Sequence, residues 1–306
     1  LELSIIILNW NAAADTIRCV RHITAWRQLQ ATIWVVDNGS PDGSVDLIAR
    51  ECPGIHLIRN SANLGYAGGN NKAITKALAR SDAPILFLNN DASVTEDDVI
   101  QLMKTLQANP QFGFVGPLLF ETGREDRLLT AGGRNIVLHL TSHLSKVTPG
   151  EPIGLVDYVP GTVMLARAEV FRLVGLLDDA FFFTGEMPDL CYRARQRGFL
   201  SAVDTRARAF HEVNRSSKLR QTLYPYYIVR NRFLFLRKHY CWNILLYSFW
   251  VLYSLALALK VQLQGQSSIA RAIGLGLMDG LRGQFGGQNE RVLVMNSKQP
   301  VPDPQV

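Results

Sequence analysis

The chain has 306 residues, 47% of them hydrophobic and 19% charged, enough apolar material for one large α/β domain with an appendage. That balance excludes a disordered chain, and the four cysteines (Cys19, Cys52, Cys191, Cys241) show neither CxxC pairing nor metal-site spacing. The net charge of +6 is unevenly placed: residues 192–240 carry twelve Lys/Arg against two acids, Asp204 and Glu212, a bias suited to a phosphate-rich ligand or an anionic bilayer surface.

Taken in order, the first half alternates short apolar runs with helical patterns. Strands are predicted at Leu3–Leu8, Thr32–Val36, Ile55–Arg59 and Ile85–Leu88, with helices near Asp15–Leu29, Ser44–Cys52, Asn70–Arg80 and Glu96–Ala108. This alternation predicts a mostly parallel central sheet with helices on both faces, and the near-continuous apolar strands agree with burial on both sides. Ligands in such folds bind beyond the C-terminal ends of the strands. Polar clusters fall there: Asn9-Trp10-Asn11, Asp37–Ser40 and Asn89-Asn90-Asp91.

Residues 111–160 are interrupted by Gly116-Pro117, Gly132-Gly133 and Pro149–Pro152, and read as loops and short strands lining an acceptor cleft. A strand at Val163–Arg167, a helix from Ala168 to about Val174, a helix at Pro188–Arg197 with proline in its first turn, and strands at Leu200–Val203 and Ala207–His211 follow. Beyond about Leu219 the character changes. Tyr224–His239 is aromatic and basic, Trp242–Leu259 has eighteen residues without a charge, and Ser268–Leu281 is a further helical stretch. Trp, Tyr and basic flanks predict helices lying in a bilayer interface; a single span and a helix packed on the domain are the competing readings. The domain reading is therefore a catalytic region 1–220, with a nucleotide half to about 117 and an acceptor half from 118, then a basic and apolar helical membrane-associating extension 221–290 and a flexible tail 291–306. No leader segment opens the sequence, and the unpaired cysteines read as reduced thiols, so the expected place is the cytoplasmic side of a cell membrane.

The most informative stretch is Pro84–Asp91, an apolar run that ends in two amides and a carboxylate. A carboxylate delivered to the C-terminal edge of a sheet suits a hard divalent cation, Mn²⁺ or Mg²⁺, that in turn grips a diphosphate. Asp91 is the predicted ligand, with His211 as a second, and Asn89 and Asn90 are placed to orient ribose and diphosphate. Asp37 can accept the imide N–H of uracil or thymine, or simply form the Asp-Asn-Gly turn. Trp10 can stack on the base, or be a core aromatic. Asn63–Asn71, with Gly65, Gly68, Gly69 and Asn70, offers backbone N–H groups ahead of a helix for close approach to phosphate or ribose. Its spacing is neither a dinucleotide fingerprint nor a P-loop. A nucleotidyltransferase is disfavoured because Asn9–Ala13 lacks a glycine-rich loop with a basic residue, and nucleic acid is not an expected partner.

Seven segments occur together in order: Ser4–Asn11, Val35–Ser40, Asn63–Asn71, Leu88–Asp91, Gly113–Pro117, Asp189–Arg193 and Arg230-Asn231-Arg232. In this the chain resembles family 2 glycosyltransferases with the A-type nucleotide-diphospho-sugar transferase fold, particularly a bacterial rhamnosyltransferase-like branch, over roughly residues 3–240. The resemblance implies a metal-dependent, inverting transfer from a nucleoside-diphosphate sugar, with dTDP-rhamnose favoured, to a glycan or lipid-linked acceptor at the inner face of a bacterial cell membrane. It implies base recognition by Asp37 and Trp10 and metal binding by Asp91 and His211. One departure matters. Where the family carries its general-base aspartate, this chain has Met187 within Glu186-Met187-Pro188-Asp189. Three readings stand: Glu186 serves as base; Asp189 serves, weakened by a helix N-terminus that stabilises its anion; or the chain binds donor without transferring sugar.

Overall fold

The computed structural model describes residues 1–148, 150–212 and 218–296. It divides into two compact units, one of residues 1–178 and 186–213, the other of 179–185 and 214–306. The first unit opens with β1 (Glu2–Asn9), α1 (Ala13–Thr24), β2 (Gln30–Asp37), α2 (Ser44–Glu51), β3 (His56–Arg59), α3 (Gly65–Arg80), β4 (Ile85–Leu88), β5 (Ala92–Val94) and α4 (Glu96–Ala108). It continues through β6 (Phe112–Glu121), β7 (Arg124–Thr130), β8 (Ile153–Val156), β9 (Val163–Ala166), α5 (Ala168–Val174), α6 (Glu186–Arg195) and β10 (Leu200–His211).

The strands form one sheet in the order β3-β2-β1-β4-β9-β6-β10-β5, with β7 added to β6 and β8 to β10. β1 pairs in parallel with β2 and β4, β2 with β3, and β6 with β10, while β9 runs antiparallel between β4 and β6. Two antiparallel steps restore direction. The C-terminal ends of β1, β2, β3, β4, β6 and β10 therefore share one edge, and β9 starts there. Apolar side chains cover both faces: Ile5, Val35, Leu86 and Val115 pack with α1, α2 and α4, and Ile6, Val36, Phe87 and Phe114 with α3, α5 and α6.

The mostly parallel sheet stands as expected, with two local corrections. Residues 112–121 form a ten-residue strand buried throughout, where the sequence suggested loops and short strands. Gly113 and Gly116 look like breakers but serve close packing: a Cβ on Gly113 would meet Val170 and Phe199 at 2.9 Å, and one on Gly116 would meet Val159 at 2.4 Å. Pro117 is tolerated because β10 shifts register opposite it, between Asp204 and Arg208, joining the two expected short strands into one. At the other correction, α3 starts at Gly65 rather than Asn70, so the glycines lie inside the helix.

The second unit holds α7 (Lys218–His239), α8 (Ile244–Leu263), α9 (Ser267–Arg282) and α10 (Asn289–Asn296) with the short segment 179–185. Tyr226, Tyr227, Ala272, Leu275 and Val292 form its core with Phe182. Gly276 lets α9 close on α7, since a Cβ there would lie 2.5 Å from the Tyr226 carbonyl oxygen. The expected basic face of Tyr224–His239 is partly internal: Arg230 is fully buried, and Arg232 lies over the Trp250 ring at 3.8 Å. The last helix takes in residues 291–296, which the sequence assigned to the tail, and residues 297–306 of that tail lie outside the described residues.

Candidate active site

Three groups of residues gather at the shared edge of the first unit. The first is a polar shelf at the ends of β1, β2 and β4. Asp37 is buried, yet both its carboxylate oxygens are engaged: Asn9 Nδ2 donates to one at 2.7 Å and the Ser40 backbone N–H to the other at 3.0 Å. Thr16 Oγ1 donates to Asn9 Oδ1 at 2.8 Å, and Asn90 Nδ2 donates to Thr16 Oγ1 at 3.0 Å. A chain of hydrogen bonds thus runs Asn90–Thr16–Asn9–Asp37 and fixes three strand ends against one another. Asn9, expected to face a ligand, is buried and works through Asp37. Asn11 takes a left-handed φ of 52° and its N–H donates to Ser40 Oγ, while Trp10 beside it stays 41% exposed, open to stacking on a planar ring.

Asn38 was not singled out by sequence, yet it is the hub of the next loop. Its Nδ2 donates to Asn63 Oδ1 and to the Gly65 carbonyl, both at 3.0 Å, and its Oδ1 accepts from Asn60 Nδ2 and from the Leu64 N–H, both at 3.1 Å. The Gly65 N–H donates to Asn63 Oδ1 at 2.8 Å. The backbone N–H groups expected to be bare before α3 are therefore occupied in part by side-chain amides. Gly65 is needed for its φ of 73°. Gly69 is needed for packing, since a Cβ would stand 2.6 Å from Leu8 Cδ1 and 3.2 Å from the Asn38 amide. Asn70 is buried and its Nδ2 donates to the Tyr66 carbonyl one turn back.

The second group is Asp91 with His211, which the fold brings together across 120 positions of sequence. Ala92 pairs with His211 in the β5–β10 ladder, the Glu212 N–H donates to the Asp91 carbonyl, and the His211 Nε2 lies 3.2 Å from Asp91 Oδ1. Both side chains keep a wet edge, 23% exposed for Asp91 and 12% for His211. The donor set, one carboxylate and one imidazole converging at a rim, fits a divalent cation that takes its remaining ligands from diphosphate and water. Among the described residues no group of three or more His, Cys, Asp or Glu side chains is placed to hold an ion. Asn89, beside them, is fixed by its backbone: its N–H donates to the Thr162 carbonyl at 2.9 Å.

The third group surrounds Glu186, the first residue of α6. It is buried, its Oε2 has no hydrogen-bond partner among the described residues, and burial pushes its carboxyl up to about 7, with Asp189 adding to the rise and the Glu186 backbone N–H opposing it. A buried carboxylate left short of a partner costs on the order of 1–3 kcal/mol, and perturbed groups of this kind concentrate at functional sites. Asp189, the alternative base, is fully buried and ion-paired with Arg193 at 2.8 Å; Arg193 also donates to the Val174 and Leu176 carbonyls. That carboxylate is a fastener between α6 and the loop after α5. Met187 points inward and packs beside Gly161, where a Cβ would meet Met187 Cε at 2.8 Å and Tyr66 Oη at 2.6 Å. Tyr66, unassigned from sequence, donates to the Gly161 carbonyl at 2.8 Å. Burial raises its phenol well above the ordinary range, and the charges of Glu186 and Asp91 raise it further, so it stands within the field of both groups.

Against known proteins, residues 4–142 match the family described as glycosyl transferase family 2. The low-salt glycan biosynthesis hexosyltransferase Agl10 of Haloferax volcanii is 28% identical over 249 residues, covering 76% of this chain and 75% of that protein. The dTDP-rhamnosyl transferase RfbF of Shigella flexneri is 24% identical over 293 residues, 92% of this chain and 96% of that one. Among solved structures, the mannosyltransferase PcManGT of Pyrobaculum calidifontis, determined with GDP-Man and Mn²⁺, superposes with a TM-score of 0.58 at 12% identity, covering 92% of this chain and 87% of that one. With the sheet order, the match over residues 4–142 and relatives of near-equal length, the chain has the A-type fold and is similar to the glycosyltransferases of family 2, enzymes that transfer a sugar from a nucleotide-sugar donor.

Proposed function

We propose that this enzyme performs an inverting, metal-dependent transfer, with Glu186 as the general base and dTDP-rhamnose as the favoured donor. The observation that carries the base is the buried Glu186 carboxyl with an unpartnered oxygen, raised to about 7, close to the optimum for proton transfer at neutral pH. The acceptor hydroxyl oxygen bonds to the anomeric carbon from the face opposite the diphosphate. Its proton passes to Glu186, and the bond from the anomeric carbon to the diphosphate oxygen breaks, releasing the nucleoside diphosphate. Asp37 and Trp10 hold the base of the donor, Asn89 and Asn90 its ribose and diphosphate, and Asp91 and His211 a divalent cation, Mn²⁺ or Mg²⁺. When bound, that cation neutralises charge on the departing diphosphate. The full-length likeness to a dTDP-rhamnosyl transferase supports the donor, and the likeness to a glycan-biosynthesis hexosyltransferase supports a glycan or lipid-linked glycan as acceptor.

The second unit favours a place at a membrane surface. α8 is long and apolar enough to cross a bilayer by length and composition. One of its faces is committed to the protein, with Trp250 and Ser254 buried, while Leu245, Leu252, Leu259 and Leu263 on the other face are exposed and Trp242 just ahead of it is 93% exposed. A helix with one face packed and one free lies along an interface, flanked here by Arg237, Lys238 and Lys260. The test of the function is a panel of nucleotide sugars with Mn²⁺ or Mg²⁺, with and without membrane extract, reading nucleoside diphosphate release. Metal-dependent release of dTDP from dTDP-rhamnose, stimulated by the extract, is expected. Release from UDP or GDP sugars alone would replace the donor.

A further inference from the structure

The segment Asp179–Gly185 leads directly into Glu186, and three of its last four residues take left-handed φ values: Phe182 at 61°, Thr184 at 66° and Gly185 at 89°. For phenylalanine and threonine this backbone is strained. Gly185 is required for the same reason, and a Cβ there would also press on the Phe181 ring at 2.8 Å. Such a segment persists only where its surroundings over-determine it.

The surroundings are two consecutive residues of α7. Asn231 Nδ2 lies within hydrogen-bond distance of the carbonyl oxygens of Phe181 (2.9 Å), Phe183 (2.8 Å) and Thr184 (2.7 Å). An amide nitrogen has two hydrogens, so the three acceptors share them. Neither a strand nor a helix turns three carbonyls in four residues toward one point; the left-handed residues do. Arg230 completes the clamp. Its Nε donates to Asn231 Oδ1 at 2.9 Å, which fixes the amide's orientation, and its other nitrogens donate to the carbonyls of Ala180 (3.2 Å), Phe181 (2.9 Å) and Gly286. The Gly286 N–H donates back to Ala180 at 2.9 Å, and Phe182 stacks on Tyr227 with ring centroids 5.5 Å apart. Arg230 is fully buried and Asn231 nearly so, and the Arg230 guanidinium also lies over the Tyr227 ring, 4.7 Å from its centroid.

We propose that Arg230 and Asn231 are positioning residues for the transfer reaction: they hold Phe181–Gly185 in its strained form and so fix the backbone that leads directly into Glu186, the first residue of α6. The inference rests on the reading of Glu186 as base. It assigns to the Arg-Asn pair a task on the protein's own backbone rather than on phosphate or lipid, which its charge first suggested. The charged and titratable groups that bear on Glu186 are Asp189, from its own helix, and the Tyr66 phenol, from α3.

The experiment compares full-length wild type with Asn231→Ala, Asn231→Asp, Arg230→Lys, Glu186→Gln and Ser254→Ala, using dTDP-rhamnose, Mn²⁺ and membrane extract. Asn231→Asp keeps shape but presents oxygens to carbonyls, and Arg230→Lys keeps charge but cannot span three carbonyls. Ser254→Ala removes a bond to the Trp250 carbonyl within α8 of the same unit and touches neither Arg230 nor Asn231, so it reports simple destabilisation. Loosening the clamp is expected to lower kcat about tenfold to a hundredfold with donor KM within about threefold, and to move the acid limb of the pH–rate profile down by about one unit as the first turn of α6 frays and Glu186 gains water. Ser254→Ala is expected to change neither. If Glu186→Gln is inactive while the clamp variants keep the wild-type limb, or lose kcat only in step with Ser254→Ala at matched thermal midpoint, the clamp is overturned and the base reading survives. If Glu186→Gln keeps its turnover, the base reading falls and takes the clamp with it.

Discussion

Two buried carboxylates in the same unit stand in opposite surroundings, and on the proposed reading one serves binding and the other chemistry. Asp37 has a donor on each oxygen, from Asn9 and from Ser40, and is one end of a relay that runs through Thr16 to Asn90. Glu186 has an oxygen with no partner, and burial lifts it to about 7. A carboxylate with a donor on each oxygen is fixed in place and suits recognition of a fixed N–H; one short of a partner and raised by burial is suited to taking a proton. Asp189 shows that position near the start of α6 is not enough, because its pairing with Arg193 commits it to structure.

Exchanging the members of this comparison gives graded outcomes. The largest is expected for Glu186→Gln, which keeps size and removes the base: kcat should fall about a hundredfold to ten-thousandfold with donor affinity nearly unchanged. Next is Asp91→Ala, where loss of the carboxylate proposed to hold the cation should cost on the order of a hundredfold in turnover and raise the Mn²⁺ concentration for half-activity, read by metal titration. Asp37→Asn should act on binding alone, raising donor KM about tenfold or more with kcat retained, as loss of a charge-assisted hydrogen bond predicts. A fall in kcat with KM unmoved would show that the two carboxylates are not divided in this way.

A smaller effect should appear in stability. Glu186 titrates from about 4.5 in the unfolded chain and about 7 in the folded one, so the folded state binds the extra proton between those values. Stability therefore falls as pH rises through that window, by at most ~3 kcal/mol. Glu186→Gln should unfold at a higher temperature than wild type at pH 8 and at nearly the same temperature at pH 4, as followed by calorimetry. Equal midpoints at pH 8 would mean the carboxyl is well solvated.

How much of this was legible beforehand follows from what each signal depends on. β4 and α4 fall at their expected limits, because an apolar run ending in Asn-Asn-Asp and a Thr95 cap whose side chain accepts from the Asp98 N–H are local signals. β6 was hidden because Gly113, Gly116 and Pro117 mimic punctuation, when their meaning lies in Val159, Val170, Phe199 and a shift in β10. The pairing of Asp91 with His211 was readable only through family register, since nothing local joins them. Asn38 and Tyr66 were missed: an amide that bonds four partners and a phenol in the field of two acids look like ordinary residues until the chain closes around them. Arg230 and Asn231 stood in plain view, but composition places arginine on the surface, and here it is internal.

The most direct test of the division between the two carboxylates is the pH dependence of kcat/KM for dTDP release, measured for wild type beside Glu186→Gln and Asp37→Asn. The account predicts activity falling below a pH of about 7 in wild type and in Asp37→Asn, and no such limb in the residual activity of Glu186→Gln. The same limb persisting in Glu186→Gln would place the proton acceptor on another group and contradict the account.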